Sequence, residues 1–248
     1  MSLFRFLLPQ AVLLAVALAA PPAQAQAQAQ AQQTVPDTLA QRLVACTSCH
    51  ARVDARGNPV NDAYFPRIGG KPAGYLYNQL LNFREGRRQY PLMTYLVDHL
   101  PDDYLREIAG WFAAQHPPAP APAPLDAAPR LLERGRQLAV QGDPARKVPA
   151  CMACHGQRLT GVEPGIPGLL GLPRDYVNAQ FGAWRNGQRR AHAPDCMAEI
   201  SARLTLEDVN AVSSWLASQP VPGDPRPAAA STLARPLPLA CGSAGDTP

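Results

Sequence analysis

Two short cysteine–histidine motifs carry the clearest chemistry in the sequence. A Cys-x-x-Cys-His segment at residues 46–50 recurs 105 positions later, at residues 151–155. Two thiols one helical turn apart can each add to a vinyl group of a haem, while the adjacent histidine reaches the iron. The motifs therefore predict two covalently attached haem c groups, bound through Cys46, Cys49, Cys151 and Cys154, with His50 and His155 as iron ligands.

Zinc, a redox-active dithiol and an incidental Cys-x-x-Cys are the alternative interpretations of these motifs. A zinc site would need both motifs to converge on one metal, whereas the repeat places each motif in its own half of the chain. A thioredoxin-like dithiol would need a βαβ setting, and the sequence predicts none. Haem attachment is the interpretation that the paired motifs favour.

Met93 and Met197 are the candidates for the second axial ligand of each iron. They lie 43 and 42 residues after the two motif histidines, at equivalent places in the two halves. An isolated methionine is more often core filler, but equivalent placement favours the Met/His scheme, which gives a higher reduction potential than bis-histidine ligation. His99 and His192 are the competing ligands, and they do not occupy equivalent positions.

A metal-bound imidazole usually donates its other N–H to a nearby acceptor. Pro66 and Pro167 align at a shift of 101 residues, and their carbonyl groups are the candidates for that acceptor. The alternative is that each proline only shapes a loop. Arg84 and Arg185 align at the same shift and could pair with haem propionates, or they could be solvated helix residues.

Cys196 and Cys241 are the two cysteines that haem attachment does not use. In an oxidising compartment a leftover pair usually forms a disulfide, which here would tie the C-terminal tail to the loop that carries Met197. The alternative is that Cys196 forms no disulfide and binds the second iron as a thiolate ligand. The alignment of Met197 with Met93 favours the disulfide.

Helical periodicity surrounds both motifs, and the two halves match at a shift of 101 and then 104 residues, as in an internal repeat. Each half has a middle and a last helix with one apolar face, another helix precedes each motif, and no segment alternates like a strand. The prediction is an all-α protein with domains at residues 34–116 and 130–219, an Ala/Pro-rich linker at 117–129 and a Pro-rich tail at 220–248.

The amino terminus predicts export. Arg5 precedes an apolar run from Phe6 to Ala20, and Ala23-Gln24-Ala25 follows as a small-residue cleavage site, so residues 1–25 are a predicted signal peptide for the periplasm. A retained membrane anchor is the alternative. The formal charge of +4 comes without a Lys/Arg cluster, which excludes nucleic-acid binding.

With these motifs in place, the chain resembles the diheme class I cytochromes c and is most similar to the cytochrome c4 family. The resemblance covers about residues 37–219 and implies two tandem class I cytochrome c domains, each wrapped around one haem c. It pairs His50 with Met93 and His155 with Met197. It also implies single-electron transfer from a membrane cytochrome complex to a terminal oxidase or reductase, without catalysis.

Two other function classes stay open. The chain could be the haem subunit of a periplasmic dehydrogenase, such as a flavoprotein complex. It could also be a diheme enzyme, such as thiosulfate dehydrogenase or a peroxidase, with one exchangeable iron site. No acid, base or nucleophile constellation clusters or repeats in the sequence, so an enzyme has little positive support. Peripheral membrane association is left open, and no oligomeric state is predicted.

Overall fold

Helices dominate the computed structural model, which describes residues 37–60, 62–122, 124–234 and 236–244. The predicted signal peptide, residues 1–25, lies outside these ranges. No helix within them is long and apolar enough to cross a membrane. Residues 37–42 belong to a first unit and contain a single helical turn, α1 (Leu39–Arg42), where Arg42 Nε lies 2.8 Å from an Asp37 carboxylate oxygen. All the remaining described residues belong to a second unit, residues 43–248.

The first half of that second unit contains four helices, α2 (Val44–His50), α3 (Ala73–Arg84), α4 (Pro91–Val97) and α5 (Asp102–Ala113). Proline begins α4, where its fixed φ suits the first helical position and its missing N–H costs nothing. Asp102 and Asp103 lie in the first turn of α5, next to the positive end of the helix dipole. The predicted apolar face of α5 is confirmed, because Leu105, Ile108 and Phe112 are all buried.

The second half contains α6 (Pro129–Val140), α7 (Met152–His155), α8 (Arg174–Arg185), α9 (Cys196–Arg203) and α10 (Leu206–Ser218), with 3-10 turns at Pro144–Arg146 and Ala230–Thr232. Thr205, a residue type that favours the N-cap position, caps α10 and forms a capping box. The Thr205 hydroxyl accepts the Asp208 N–H at 3.0 Å, and an Asp208 carboxylate oxygen accepts the Thr205 N–H at 3.0 Å. Helices α6 and α10 cross closely at Gly135, where a Cβ atom would lie 2.2 Å from the Ala211 carbonyl oxygen.

Two features of the second half differ from the sequence prediction. A two-stranded antiparallel sheet, β1 (Gly161–Val162) with β2 (Ile166–Pro167), lies where no strand was expected. Two residues are too few to show alternation, so periodicity missed them. Cys196 begins α9 and does not lie in a loop, because the Asp195 carboxylate accepts the Ala198 N–H at 3.0 Å and caps the helix there.

A short backbone pairing joins the two halves. The Gln89 N–H donates to the Gln188 carbonyl at 2.7 Å, and the Arg190 N–H donates to the Arg87 carbonyl at 2.7 Å. The pairing is antiparallel and brings together two residues of the same repeat position, Arg88 and Arg189. Antiparallel pairing of equivalent residues gives the contact a local two-fold character.

The side chains of Arg88 and Arg189 repeat that symmetry. Each guanidinium binds the glutamine of its own half together with the glutamine and the tyrosine of the other half, and each lies over an aromatic ring of its own half. For Arg88 the partners are Gln79 at 2.9 Å, Gln180 at 2.8 Å, Tyr176 at 3.0 Å and the Phe83 ring; for Arg189 they are Gln180 at 2.7 Å, Gln79 at 3.2 Å, Tyr75 at 3.4 Å and the Trp184 ring.

The C-terminal tail runs back along the second half. Ala228 forms a parallel bridge with Val162 of β1, and Leu233 is buried against Val162 and Ile166. Cys241 is disulfide-bonded to Cys196, so the predicted pairing is confirmed. The tail therefore adds a small apolar cluster of its own to this half of the molecule.

Candidate haem sites

The first Cys-x-x-Cys-His motif lies within α2. Cys46 and Cys49 are three residues apart on one helical face, and His50 is the last residue of the helix. His50 Nδ1 lies 2.8 Å from the Pro66 carbonyl oxygen, so a proton on Nδ1 leaves the Nε2 lone pair free for a metal. Burial lowers the pKa of His50, although the Pro66 carbonyl acts in the opposite direction, and the ring is neutral at neutral pH.

The second motif is arranged in the same way. Cys151 is the N-cap residue of α7, and His155 ends the helix. His155 Nδ1 lies 2.8 Å from the Pro167 carbonyl oxygen, the counterpart of the contact in the first half. Burial lowers the pKa of His155, the Pro167 carbonyl raises it, and the nearby Lys71 ammonium lowers it. Both histidines thus have the ring orientation and charge of an iron ligand, and their ligation remains a prediction.

The motif thiols form no disulfide among the described residues. Cys46, Cys49, Cys151 and Cys154 are all free. Burial raises the pKa of Cys151 to about 12, and burial also raises the pKa of Cys46 and of Cys154. Reactive dithiols have a lowered thiol pKa, so these environments do not favour a redox-active dithiol. They leave four thiols available for attachment to a cofactor.

A large cavity in the second half brings the predicted haem residues together. Cys151, Cys154, His155 and Met197 all line it, and His192, the competing ligand, is not among its lining residues. Most of the wall is apolar, which suits a flat porphyrin ring; it includes Leu138, Val148, Leu172, Val177, Phe181, Leu204, Val212 and Leu216.

The same cavity has a polar rim that suits the carboxylates of a haem. Lys71, which comes from the first half, donates to the Gly168 carbonyl at 3.0 Å, and burial lowers its pKa. Arg189 is 7% exposed, and its pKa is lowered by burial and by the charge of Arg88. Trp184 Nε1 is buried and has no hydrogen-bond partner in the part of the chain that the structure describes. Arg190 also lines the cavity, and within the described residues no carboxylate pairs with Lys71, Arg189 or Arg190, so three cations and the Trp184 donor are available to anionic groups.

In the first half, α4 carries Met93. The Thr94 hydroxyl donates to the Phe83 carbonyl at 3.2 Å and ties α4 to the end of α3. Met93 is half-buried, whereas the side chain of His99 is 94% exposed, which places this competing histidine at the surface. The role of Met93 as an iron ligand stays a prediction.

Arg84 and Arg185, the candidates for propionate binding, have another function in the structure. Arg84 donates to the Leu100 carbonyl at 2.9 Å, and Arg185 donates to the Leu204 carbonyl at 3.4 Å. Each arginine thereby ties a middle helix to the start of a last helix. Arg189, in contrast, lines the cavity. It aligns with Arg88 at the shift of 101 residues, but the sequence assigned it no function.

Comparisons with known proteins identify relatives of this chain. No protein-family model matches the chain. A thiosulfate dehydrogenase electron acceptor from Thiomonas intermedia is 34% identical over 178 residues, which cover 71% of this chain and 79% of that protein. A cytochrome c4 from Pseudomonas aeruginosa is 32% identical over 178 residues, which cover 71% of this chain and 84% of that protein.

The chain belongs to the diheme cytochrome c4 family. Among solved structures, reduced recombinant cytochrome c4 from Pseudomonas stutzeri matches 72% of this chain and 95% of its own, with a TM-score of 0.60 and 28% identity. The thiosulfate dehydrogenase TsdBA from Marichromatium purpuratum matches 71% of this chain, with a TM-score of 0.61 and 31% identity, and the match spans 36% of that chain.

Membership of the cytochrome c4 family fixes the cofactor and the fold class. The chain is an all-α protein of two tandem class I cytochrome c domains, and it carries two covalently bound haem c groups. It is an electron-transfer protein. The cavity in the second half, with its apolar wall and its cationic side chains, fits that cofactor.

Proposed function

We propose that the chain is a periplasmic carrier of single electrons whose two irons are both ligated by histidine and methionine. Cys46 and Cys49 would bind one haem, and Cys151 and Cys154 the other. The iron ligands would be His50 with Met93 and His155 with Met197, and the Pro66 and Pro167 carbonyls would orient the two histidines. The single observation that carries this assignment is the cavity that Cys151, Cys154, His155 and Met197 line together.

The proposed domains follow from the repeat. Domain 1 spans residues 34–116 and domain 2 spans residues 130–219, with the linker at 117–129 and the tail at 220–248. The signal peptide at residues 1–25 would direct export to the periplasm and be cleaved after Ala25. Determining the amino-terminal residue of the mature protein tests that cleavage directly.

Redox proteins are the proposed partners, with a membrane cytochrome complex as donor and a terminal oxidase or reductase as acceptor. Two protein ligands on each iron would leave no open position for a substrate, so we propose no catalytic activity. Electron exchange then needs only close approach of a partner to a haem edge.

Optical spectroscopy of the purified holoprotein tests the ligands. We expect two haems per chain, the far-red ferric band of methionine ligation, and no spectral change when carbon monoxide is added to the ferrous protein. Met197→Ala should open one iron to carbon monoxide and weaken the far-red band, whereas Met152→Leu should change neither. A wild-type protein that binds carbon monoxide, or lacks the far-red band, would overturn the assignment.

A second candidate function names the electron donor. Two of the relatives are thiosulfate dehydrogenase electron acceptors, 34% and 35% identical to this chain. This likeness supports a thiosulfate dehydrogenase as the physiological donor. The test mixes the oxidised protein with thiosulfate, with and without a purified thiosulfate dehydrogenase. Rapid haem reduction only with the enzyme supports this donor, and equally rapid reduction by thiosulfate alone would make the chain itself the enzyme.

A further inference from the structure

The C-terminal tail forms part of the wall of the second haem cavity. Five tail residues line that cavity together with His155 and Met197; they are Leu237, Leu239, Cys241, Ser243 and Ala244. Leu237, Leu239 and Ala244 are apolar, as expected for a surface that covers a porphyrin ring. The first half has no corresponding tail in the sequence, because its repeat is followed by the Ala-Pro linker.

Close contacts hold the tail in this position. The Ala228 N–H donates to the Gly161 carbonyl at 2.9 Å, and the Ala228 carbonyl accepts the Glu163 N–H at 2.9 Å. Near its other end, the Gly242 N–H donates to the Pro194 carbonyl at 2.9 Å. A Cβ atom on Gly242 would lie 2.3 Å from the Ala193 carbonyl oxygen, so no larger residue fits there.

The disulfide attaches the tail next to the proposed iron ligand. Cys196 directly precedes Met197, and both lie in the first turn of α9. At the shift of 104 residues, the counterpart of Cys196 in the first half is Leu92, whose side chain is 46% exposed. The tail therefore covers, in the second half, a face that is open in the first.

The tail also brings an unused hydrogen-bonding group to the cavity. Ser243 Oγ is buried without a hydrogen-bond partner among the described residues, and Ser243 lines the cavity. A buried hydroxyl without a partner costs about 1–3 kcal/mol, so such groups normally face a partner that the protein atoms do not supply. The cofactor is the group that this cavity is built to hold.

We propose that the tail is a structural part of the second haem pocket, in which the Cys196–Cys241 disulfide positions Met197 and the tail residues close the cavity to small ligands. Met197 keeps its place because the residue before it is covalently fixed to a segment that is itself bound at Gly161, Glu163 and Pro194. This inference rests on the proposed function, since it takes Met197 as the iron ligand.

The test replaces both cysteines of the disulfide, Cys196→Ser together with Cys241→Ser, so that no free thiol remains. We expect the ferrous variant to bind carbon monoxide at one of its two haems and to lose part of the far-red ferric band. Of the two shifted methyl resonances that ligating methionines give in NMR spectra, we expect one to broaden or move. If the disulfide only stabilised the fold, its loss in the double variant would lower the melting temperature and leave these signatures unchanged.

Two further variants accompany this test. Gly242→Val leaves both cysteines in place but forces the tail away from Ala193, and we expect the same gain of carbon monoxide binding at one haem. Leu92→Ser alters the counterpart of Cys196 in the first half, where no tail is attached, and we expect wild-type spectra. Because Gly242→Val does not depend on cysteine chemistry, it decides the question if the double serine variant fails to mature.

The outcomes separate the two proposals. A wild-type protein that already binds carbon monoxide would overturn the ligand assignment itself. If the ferrous wild-type protein, the Gly242→Val variant and the double serine variant all fail to bind carbon monoxide, the proposed role of the tail is overturned. The proposed function would stay intact.

Discussion

Lys71 is a charged residue of the second haem cavity whose counterpart in the repeat is apolar. It reaches from the first half to the Gly168 carbonyl and lines the second cavity beside His155. Its counterpart at the shift of 101 residues is Leu172, which is apolar. No carboxylate within the described residues pairs with Lys71, so no protein anion among them neutralises its charge at the second haem site.

We expect Lys71→Leu to lower the reduction potential of the second haem, because a nearby positive charge stabilises the reduced form of the iron. The first haem, on the other side of the pairing between the halves, should change much less. Spectroelectrochemical titration resolves the two potentials. Arg130→Gln is the matched control, since its exposed side chain carries the same charge and does not line the cavity. Equal shifts of both haems in Lys71→Leu would contradict this expectation.

Asp208 provides a pH-dependent contribution to stability. Its carboxylate lies 2.9 Å from Arg134 Nε and 2.6 Å from Arg146 Nη1, and it accepts two hydrogen bonds from Thr205. Burial raises the pKa of Asp208, but the arginines and Thr205 outweigh burial and hold it well below its usual range. A lowered pKa in the folded state stabilises the protein above the unfolded pKa of about 3.9, and this stabilisation is lost as the pH falls through the folded pKa.

We therefore expect Asp208→Asn to lower the free energy of unfolding by about 2 kcal/mol at pH 7. The difference from wild type should stay constant between about pH 5 and 8 and shrink below about pH 4, where the carboxylate of the unfolded wild-type chain begins to take up a proton while the folded one stays ionised. Denaturant unfolding of the holoprotein at several pH values measures this difference. Asp224→Asn, which removes an exposed ion pair with Arg226, is the control and should show no such difference. If the difference in the free energy of unfolding between wild type and Asp208→Asn did not depend on pH, the ion pairs of Asp208 would not be its cause.

At the scale of elements, the crossing of α6 and α10 depends on a missing side chain. Gly135 of α6 meets the backbone of α10 directly, since an added Cβ would also lie 2.6 Å from the Trp215 Cβ atom. This contact closes the second half by joining the helix before its motif to its last helix. Gly182 of α8, in contrast, has no atom within 4 Å of an added Cβ.

These two helical glycines form a matched pair for a test. Gly135→Ala should destabilise the protein by about 2 kcal/mol, because the two backbones would be forced apart. Gly182→Ala should stabilise it by up to about 1 kcal/mol, because alanine is the better helix former at an exposed position. Denaturant midpoints of the two variants compare them directly. Destabilisation of similar size in both would mean that close packing at Gly135 does not decide the crossing.

Long helices were predictable from the sequence, whereas very short elements were not. Helices α5 and α10 span three turns, so their apolar period and their first-turn acidic residues were readable, and the Thr205 cap followed a common rule. The strands β1 and β2 are two residues each and are held by contacts with the tail and with one another, which no local pattern encodes. The helical start of α9 at Cys196 was missed for a related reason, since it depends on the single Asp195 cap.

At the scale of the whole molecule, the sequence predicted the repeat but not how its copies meet. The Arg88 and Arg189 repeat was visible, yet each side chain takes two of its partners from the other half, and such partners are known only once both halves are folded. The tail presented the same difficulty. Its disulfide was predictable by counting cysteines, whereas its place in the cavity wall depends on contacts across the entire second half.

The arginine pairing predicts that the two halves unfold together. Arg189→Gln would remove the hydrogen bonds to Tyr75 and Gln79 of the first half. We expect the single calorimetric transition of the wild-type holoprotein to broaden or to split in two, because coupling between the halves weakens. Arg190→Gln keeps its backbone bond to Arg87 and is expected to retain one transition. Two transitions already present in the wild type would show that the pairing does not couple the halves.

The tail contact also imposes an order on biosynthesis. Haem attachment needs reduced sulfur at Cys151 and Cys154, whereas Cys196 and Cys241 must be oxidised, and all four line the same cavity. Once the tail is in place it forms one side of that cavity, so we expect the porphyrin to be loaded before the disulfide closes. Maturation of the second domain would then follow two chemistries in order, thioether formation and afterwards disulfide formation, and we expect a disulfide that forms early to yield a chain that carries only its first haem.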